Sequence, residues 1–239
     1  ALDRVVHRAL AKRPELRYQS VESMAQDLRS ALALGDTGSG ASPRALTRLI
    51  VLPFRILRAD PETDFLSFSL ADALTSALSG LQSLVVRSSV AGAKFAGATP
   101  DLKAVAEETQ VEIVLLGTLL RAGEQIRVTS QLVDAAGATV IWSHTAQAPV
   151  GDLFRLQDEH VEKIVESLSL PLTARERRML KQDVPSSALA YELYLRATEA
   201  SRDWGQWRAA LDLYERCITE DPHYAPGWVG AGRMHRMIG

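Results

Sequence analysis

Short apolar runs alternate with longer stripes at helical spacing through the middle of the chain, and this pattern predicts a mixed α/β domain. Leu49-Ile50-Val51-Leu52-Pro53-Phe54 reads as a buried strand stopped at Pro53, which has no N–H to give to a sheet ladder. Leu66, Leu70, Ala73, Leu74, Ala77, Leu78 and Leu81 recur every three or four positions and predict a helix, with a second strand at Leu84-Val85-Val86-Arg87. Leu102, Val105 and Ala106 mark another helix. A third strand is expected over 111–120, and the runs 125–133 and 139–146 follow as an antiparallel meander with turns at Ala122-Gly123 and Ala136-Gly137. Leu153, Leu156, Val161, Ile164, Val165 and Leu168 give a last helix.

Two breaks frame this domain. Residues 35–47, rich in Gly, Ser, Thr and Asp, gain too little from burial to offset the cost of ordering and read as a flexible linker. The second break lies at Gln182-Asp183-Val184-Pro185-Ser186-Ser187, so the expected segments are 1–34, 48–183 and 188–239. The first is a helical pair. Val5, Val6, Ala9 and Leu10 form one stripe, ended by Pro14. Val21, Met24, Ala25, Leu28 and Leu32 form the other, capped by Ser20, closed by Gly35, and with Glu22 and Asp27 on the outer face. Such a pair cannot bury its stripes alone, and a larger body is expected to cover them.

The last segment repeats itself at an offset of 34, pairing Tyr194 with Trp228, Ala197 with Ala231 and Thr198 with Gly232. That period with helix–turn–helix character marks tetratricopeptide repeats, one full and one truncated. Ala210, Tyr214, Cys217 and Pro222 hold the signature spacing, and Trp228 and Gly232 open the next copy. Small residues there allow close helix approach, and Cys217 is expected to be a buried, inert thiol. Trp204, Trp207 and Tyr191 are candidates for a peptide groove, set against ordinary packing between repeat helices.

Composition narrows the function. Lys and Arg total 27 against 29 Asp and Glu, a net charge of −2 that gives no electrostatic case for binding nucleic acid. Residues 1–35 hold six cations and four carboxylates, too small an excess for a recognition helix. One cysteine excludes an internal disulfide and points to a reducing compartment. No run reaches the ~18 apolar residues of a membrane span. A cytoplasmic location is the expectation.

Candidate chemistry is sparse. His144 beside Trp142 offers a general base, and Ser88-Ser89 offer nucleophiles, but no carboxylate sits at a diagnostic offset from His144, and the serines suit a cap or turn. Gly92 to Gly97 lacks the spacings that cradle phosphate. Asp60, Glu62, Glu107 and Glu108 read as solvated turn and helix residues. No catalytic, cofactor-binding or metal-binding residue is therefore assigned in this chain.

Two resemblances extend this reading. Val6-His7-Arg8-Ala9-Leu10-Ala11-Lys12-Arg13-Pro14-Glu15-Leu16-Arg17-Tyr18-Gln19-Ser20 resembles the element that closes the large lobe of bacterial Ser/Thr protein kinases. The resemblance implies a structural role for Arg17 and a missing catalytic domain that would use ATP and Mg; the Gly-rich loop, paired lysine and catalytic Asp of phosphoryl transfer are not in this sequence. Val51-Leu52-Pro53-Phe54, Gly117-Thr118-Leu119-Leu120-Arg121-Ala122-Gly123, Arg127 to Asp134, Ile141-Trp142-Ser143 and Leu153 to Asp158 are similar to TolB-like amino-terminal domains. Together they imply a TolB-like α/β (α+β) domain with a mixed sheet, flanked by an N-terminal helical pair and a C-terminal tetratricopeptide (TPR) hairpin. The implied function is a non-catalytic regulatory region that binds a protein partner or signal for a Ser/Thr kinase. The rival is the same region serving a nucleotide cyclase or a winged-helix regulator.

Overall fold

The structure, a computed structural model, describes residues 5, 8, 9, 17, 18, 20–27, 46–97 and 99–239. The chain divides into two units, 1–45 and 46–239.

In the first unit residues 21–27 are helical, and the Ser20 hydroxyl accepts from the Ser23 amide at 3.1 Å, as expected of a cap. Tyr18 donates to Asp27 at 2.9 Å while the Arg8 guanidinium lies 4.5 Å over the Tyr18 ring, so Asp27 is half-buried rather than outward-facing. Val21, expected on the apolar stripe, is 81% exposed, because the described residues of this unit leave its first-turn position uncovered. Arg17 is exposed at a bend. Val6, Leu10, Pro14, Leu28, Leu32, the Gly35 stop and residues 35–45 of the linker expected over 35–47 lie outside the described residues, and the linker's last residue, Thr47, is already in a strand.

The second unit is a mixed α/β fold. Its strands are β1 (Thr47–Val51), β2 (Arg55–Ile56), β3 (Leu84–Val86), β4 (Ile113–Ala122), β5 (Gln125–Asp134) and β6 (Thr139–Pro149). The helices are α1 (Leu66–Ser79), α2 (Ser89–Ala93), α3 (Leu102–Thr109), α4 (Leu153–Ser167), α5 (Ala174–Met179), α6 (Ala188–Ala200), α7 (Trp207–Glu220) and α8 (Ala225–Ile238). The sheet order is β3-β1-β4-β5-β6. β1 is parallel to β3 and β4, whereas β4, β5 and β6 form an antiparallel meander.

Pro53 breaks the first strand earlier than the apolar run suggests, leaving β1 to end at Val51. Val51 pairs with Leu115 and Arg55 with Thr118, so one extra residue is absorbed around Pro53. The displaced Phe54 ring then crosses β4 at Gly117, where any Cβ would collide with it. The meander follows the expected alternation, although β4 starts two residues later than predicted and β6 runs on to Pro149.

Alternation sets the two faces of the sheet. Leu49, Val51, Leu115, Leu119, Ile126, Val128 and Leu132 bury one face with residues of α1 and α4. Ile50, Leu52 and Val114 bury the other with Val105 of α3 and with Val111. The outer face of β5 and β6 is polar, with Thr129 and Thr145 hydroxyls 3.0 Å apart. α2 and α5, of five and six residues, are too short to show a helical period in the sequence. Ser88 caps α2 by accepting from Ala91, in keeping with the cap assigned to the Ser88-Ser89 pair. Thr173 and Glu176 cap α5 reciprocally.

Candidate functional site

The helical tail does not stand apart from the α/β domain. Ser187 caps α6, whose Ala190, Tyr191, Leu193 and Leu195 belong to the same buried core as α1 and α4. The Tyr191 hydroxyl donates to Gln157 of α4, and its ring meets Phe154 edge-on at 5.4 Å. Tyr194 and Tyr224 cross at 89° with centroids 5.4 Å apart. Burial drives the Tyr191, Tyr194 and Tyr224 phenols far above their ordinary pKa, so these rings stay neutral.

Two arginines of α6 and its following turn close the rim. Arg196 lies 4.2 Å over the Phe65 ring, donates to Glu192 at 2.8 Å and reaches the Glu62 carbonyl at 3.3 Å. Arg202 lies 4.2 Å over Phe68 of α1 and donates to Glu199 at 2.8 Å. Asp221 accepts from the Ser186 amide at 2.6 Å and the His223 amide at 3.2 Å, and these bonds hold its carboxyl below the usual range. Glu176 accepts from the Thr173 hydroxyl and amide at 2.7 Å each and from the Gln82 amide at 2.8 Å. The Thr173 bonds lead in lowering its pKa.

A cavity of about 240 Å³ remains inside this seam, walled by α1, α4, α5, α6 and the start of α8. A second, of about 300 Å³, lies beside Gly117 between Pro53, Phe95 and Thr118.

The expected repeat residues gather around α7 and α8. Ala210, Tyr214 and Cys217 are buried, and Pro222 lies in the turn. Burial and then Asp221 push the Cys217 thiol up to about 11, consistent with an inert group. Trp228 is 57% exposed and donates to the Pro222 carbonyl at 2.9 Å. Gly232 is not the close-approach position that its alignment with Thr198 suggests: a Cβ there meets nothing within 4 Å, whereas one on Gly230 would enter the Tyr214 ring. The helix faces explain this, since Gly230 points inward with Ala231 and Gly232 points out. Tyr191 is likewise withdrawn from any surface groove, being 1% exposed, while Trp204 is 82% exposed and Trp207 donates to the Ser201 carbonyl.

The structure brings to His144 a partner that sequence spacing concealed. Glu159, one helix away, approaches its Nε2 at 3.0 Å, and Trp142 stacks on the imidazole with centroids 5.8 Å apart. His160 is buried beside them. Its Nδ1–H donates to the Leu156 carbonyl at 2.8 Å, its Nε2 makes no well-formed hydrogen bond among the described residues, and burial lowers its pKa. Ser130, opposite His144 in the ladder, is buried without a partner as well. His144, His160 and Ser130 pack as a polar layer between β6, β5 and α4, and neither of the two cavities above is lined by them. The other candidates are structural in their contacts. Asp60 accepts from the Glu62 amide and pairs with Arg121 at 3.3 Å, Glu108 pairs with Lys94 at 2.7 Å, and Gly92 packs in α2 against the Val51 carbonyl. Among the described residues no group of three His, Cys, Asp or Glu could hold a metal, and no helix is long and apolar enough to cross a membrane.

Comparison with known proteins finds a match over residues 45–164 to the family described as HilA/YgeH-like transcriptional regulator, second domain. The protein named "Putative adenylate cyclase 3" of Rhizobium meliloti (strain 1021) is 30% identical over 179 residues, which are 74% of this chain and 30% of that protein. Among solved structures, TolB from Acinetobacter baumannii aligns over 54% of this chain and 30% of its own at 11% identity, with a TM-score of 0.38. PelC from Paraburkholderia phytofirmans aligns over 55% of this chain and 93% of its own at 17% identity, also at 0.38.

Proposed function

The chain belongs to the family of the HilA/YgeH-like transcriptional regulator second domain, and from that premise we propose that it is a non-catalytic regulatory and interaction region of a larger signalling protein. The observation that carries this reading is the seam. An α/β domain and a helical tail share one core through Tyr191, so an event on the tail is felt by the sheet layer. The tail, read as tetratricopeptide repeats, supplies the surface for a protein partner. A cytoplasmic setting belongs to the same proposal.

For the parent, a transcriptional regulator or a nucleotide cyclase is supported by the family match and by the Rhizobium meliloti relative, of which this chain spans 30%. A Ser/Thr kinase is the second reading, supported by the segment from Val6 to Ser20. Incubation of the purified chain with ATP and Mg²⁺, followed by analysis for phosphotransfer and for cyclic AMP, is the test. Neither product is expected above blank, and reproducible formation of either overturns the non-catalytic reading.

A further inference from the structure

The carboxyl end of β1 is the point where the sheet reverses its winding. β1 lies between β3 and β4 and runs parallel to both. The link from β1 to β3 packs α1 on one face, and the link from β3 back to β4 packs α2 and α3 on the other. Such a reversal opens a crevice beyond the strand end, the place where open α/β sheets take up ligands. The cavity of about 300 Å³ sits there, bounded by Leu52 and Pro53 after β1 and by Phe95 and Pro100 of the connection from α2 to α3. Register decides its floor. Arg55 pairs with Thr118, Thr118 with Thr129, and Leu116 with Gln131, so the side chains within each pair share a face of the sheet. Alternation turns all of them away from the core face, which takes Ile56, Leu119, Val128 and Leu132. Arg55, Thr118, Thr129 and Gln131 all line the cavity, and among its described lining residues Arg55 alone is charged.

We propose that this cleft at the end of β1 binds a small organic carboxylate with an apolar body, its carboxylate on Arg55 and its body beside Leu52, Leu116 and Phe95. A guanidinium offers a fork of N–H donors that fits the two oxygens of one carboxylate and neutralises its single charge. A phosphate dianion on the same group would stay half-neutralised, and no carboxylate among the described lining residues would hold a cation. The Thr118 and Thr129 hydroxyls and the Gln131 amide orient the ligand, while the apolar walls take up its hydrocarbon part. The exposed position of Arg55 leaves the guanidinium within reach of a ligand arriving from solvent. The site stands on the cleft alone. Its use as a signal input rests on the regulatory reading above.

The test is titration of the full chain with sodium benzoate, against sodium chloride at equal ionic strength, by calorimetry and by the methyl resonances of Thr118 and Thr129. Saturable binding is expected, with shifts at those two methyls and none at Thr198, which is buried in the tail. Benzamide, with the same ring and no charge, is expected to bind roughly tenfold or more weakly, the order of a charge-assisted hydrogen bond. Arg55→Gln is expected to bring benzoate down to the affinity of benzamide and to leave benzamide unchanged. Inorganic phosphate is expected not to displace benzoate. Absence of saturable benzoate binding, binding that leaves both threonine methyls unmoved, or benzamide as tight as benzoate would each overturn the site. Full affinity in the folded Arg55→Gln variant, or displacement by phosphate, would do the same. None of these results bears on the ATP assay, so failure of the cleft and failure of the regulatory reading are told apart.

Discussion

The hydroxyl of Tyr191 on α6 is hydrogen-bonded to the side-chain oxygen of Gln157 on α4, inside a core that the two halves of the 46–239 unit share. A ring this buried contributes chiefly by filling space, and its hydroxyl adds one bond. Tyr191→Phe should cost about 1 kcal/mol, the usual net worth of a hydrogen bond. Tyr191→Ala should cost about 3–5 kcal/mol, the range for removing a buried aromatic ring. Chemical denaturation of both variants checks the ratio; equal small losses would mean that α6 is not seated on α4.

Two glycines in one helix should respond in opposite directions. Gly230 lies under the Tyr214 ring and has no room for a methyl, so Gly230→Ala should destabilise by roughly 1–3 kcal/mol. Gly232 faces open space, and Gly232→Ala should stabilise by up to about 1 kcal/mol through helix propensity. Thermal melts of the pair settle which position packs against α7.

Acid should unfold the protein in two stages. His160 has a folded pKa below its ordinary 6.5, so the unfolded chain binds more protons below that pH; stability is full above about pH 6.5 and declines beneath it. Glu176 and Asp221 are held below 4.5 and 3.8, so their contributions are present above those values and are lost as pH falls through the lowered folded ones. Denaturant midpoints at pH 7.5, 5.5 and 3.5 should fall in that order, and His160→Leu should remove the first drop. Glu199 works the other way, since burial raises its carboxyl pKa and acid adds to its share of stability, so a change between pH 7.5 and 5.5 that is equal in the parent and in His160→Leu would contradict the buried neutral imidazole.

Local pattern carried most of the fold into view. The alternation of Ile126, Val128 and Leu132 announces which face of β5 is buried, and the spacing of Leu66, Leu70 and Leu74 announces α1. What stayed hidden depends on contacts between distant positions. Gly117 looks like any strand glycine until the chain kinks at Pro53 and lays Phe54 across it. Glu159 becomes the partner of His144 only once α4 docks on β6. The short helix α5 has too few residues for a periodic signal, although Thr173-x-x-Glu176 is a capping-box spacing that could have disclosed it. The seam cavity was illegible for the same reason, since Phe154, Asp183 and Tyr224 converge from separate elements.

The α/β layer and the helical tail share one core and act as one mechanical body. Hydrogen exchange read by mass spectrometry across a denaturant series addresses this directly, by comparing amides of α1 and β5 with those of α6 and α7. Protection in all four should be lost at one common midpoint. A tail that opens at clearly lower denaturant, while the sheet stays protected, would contradict the claim.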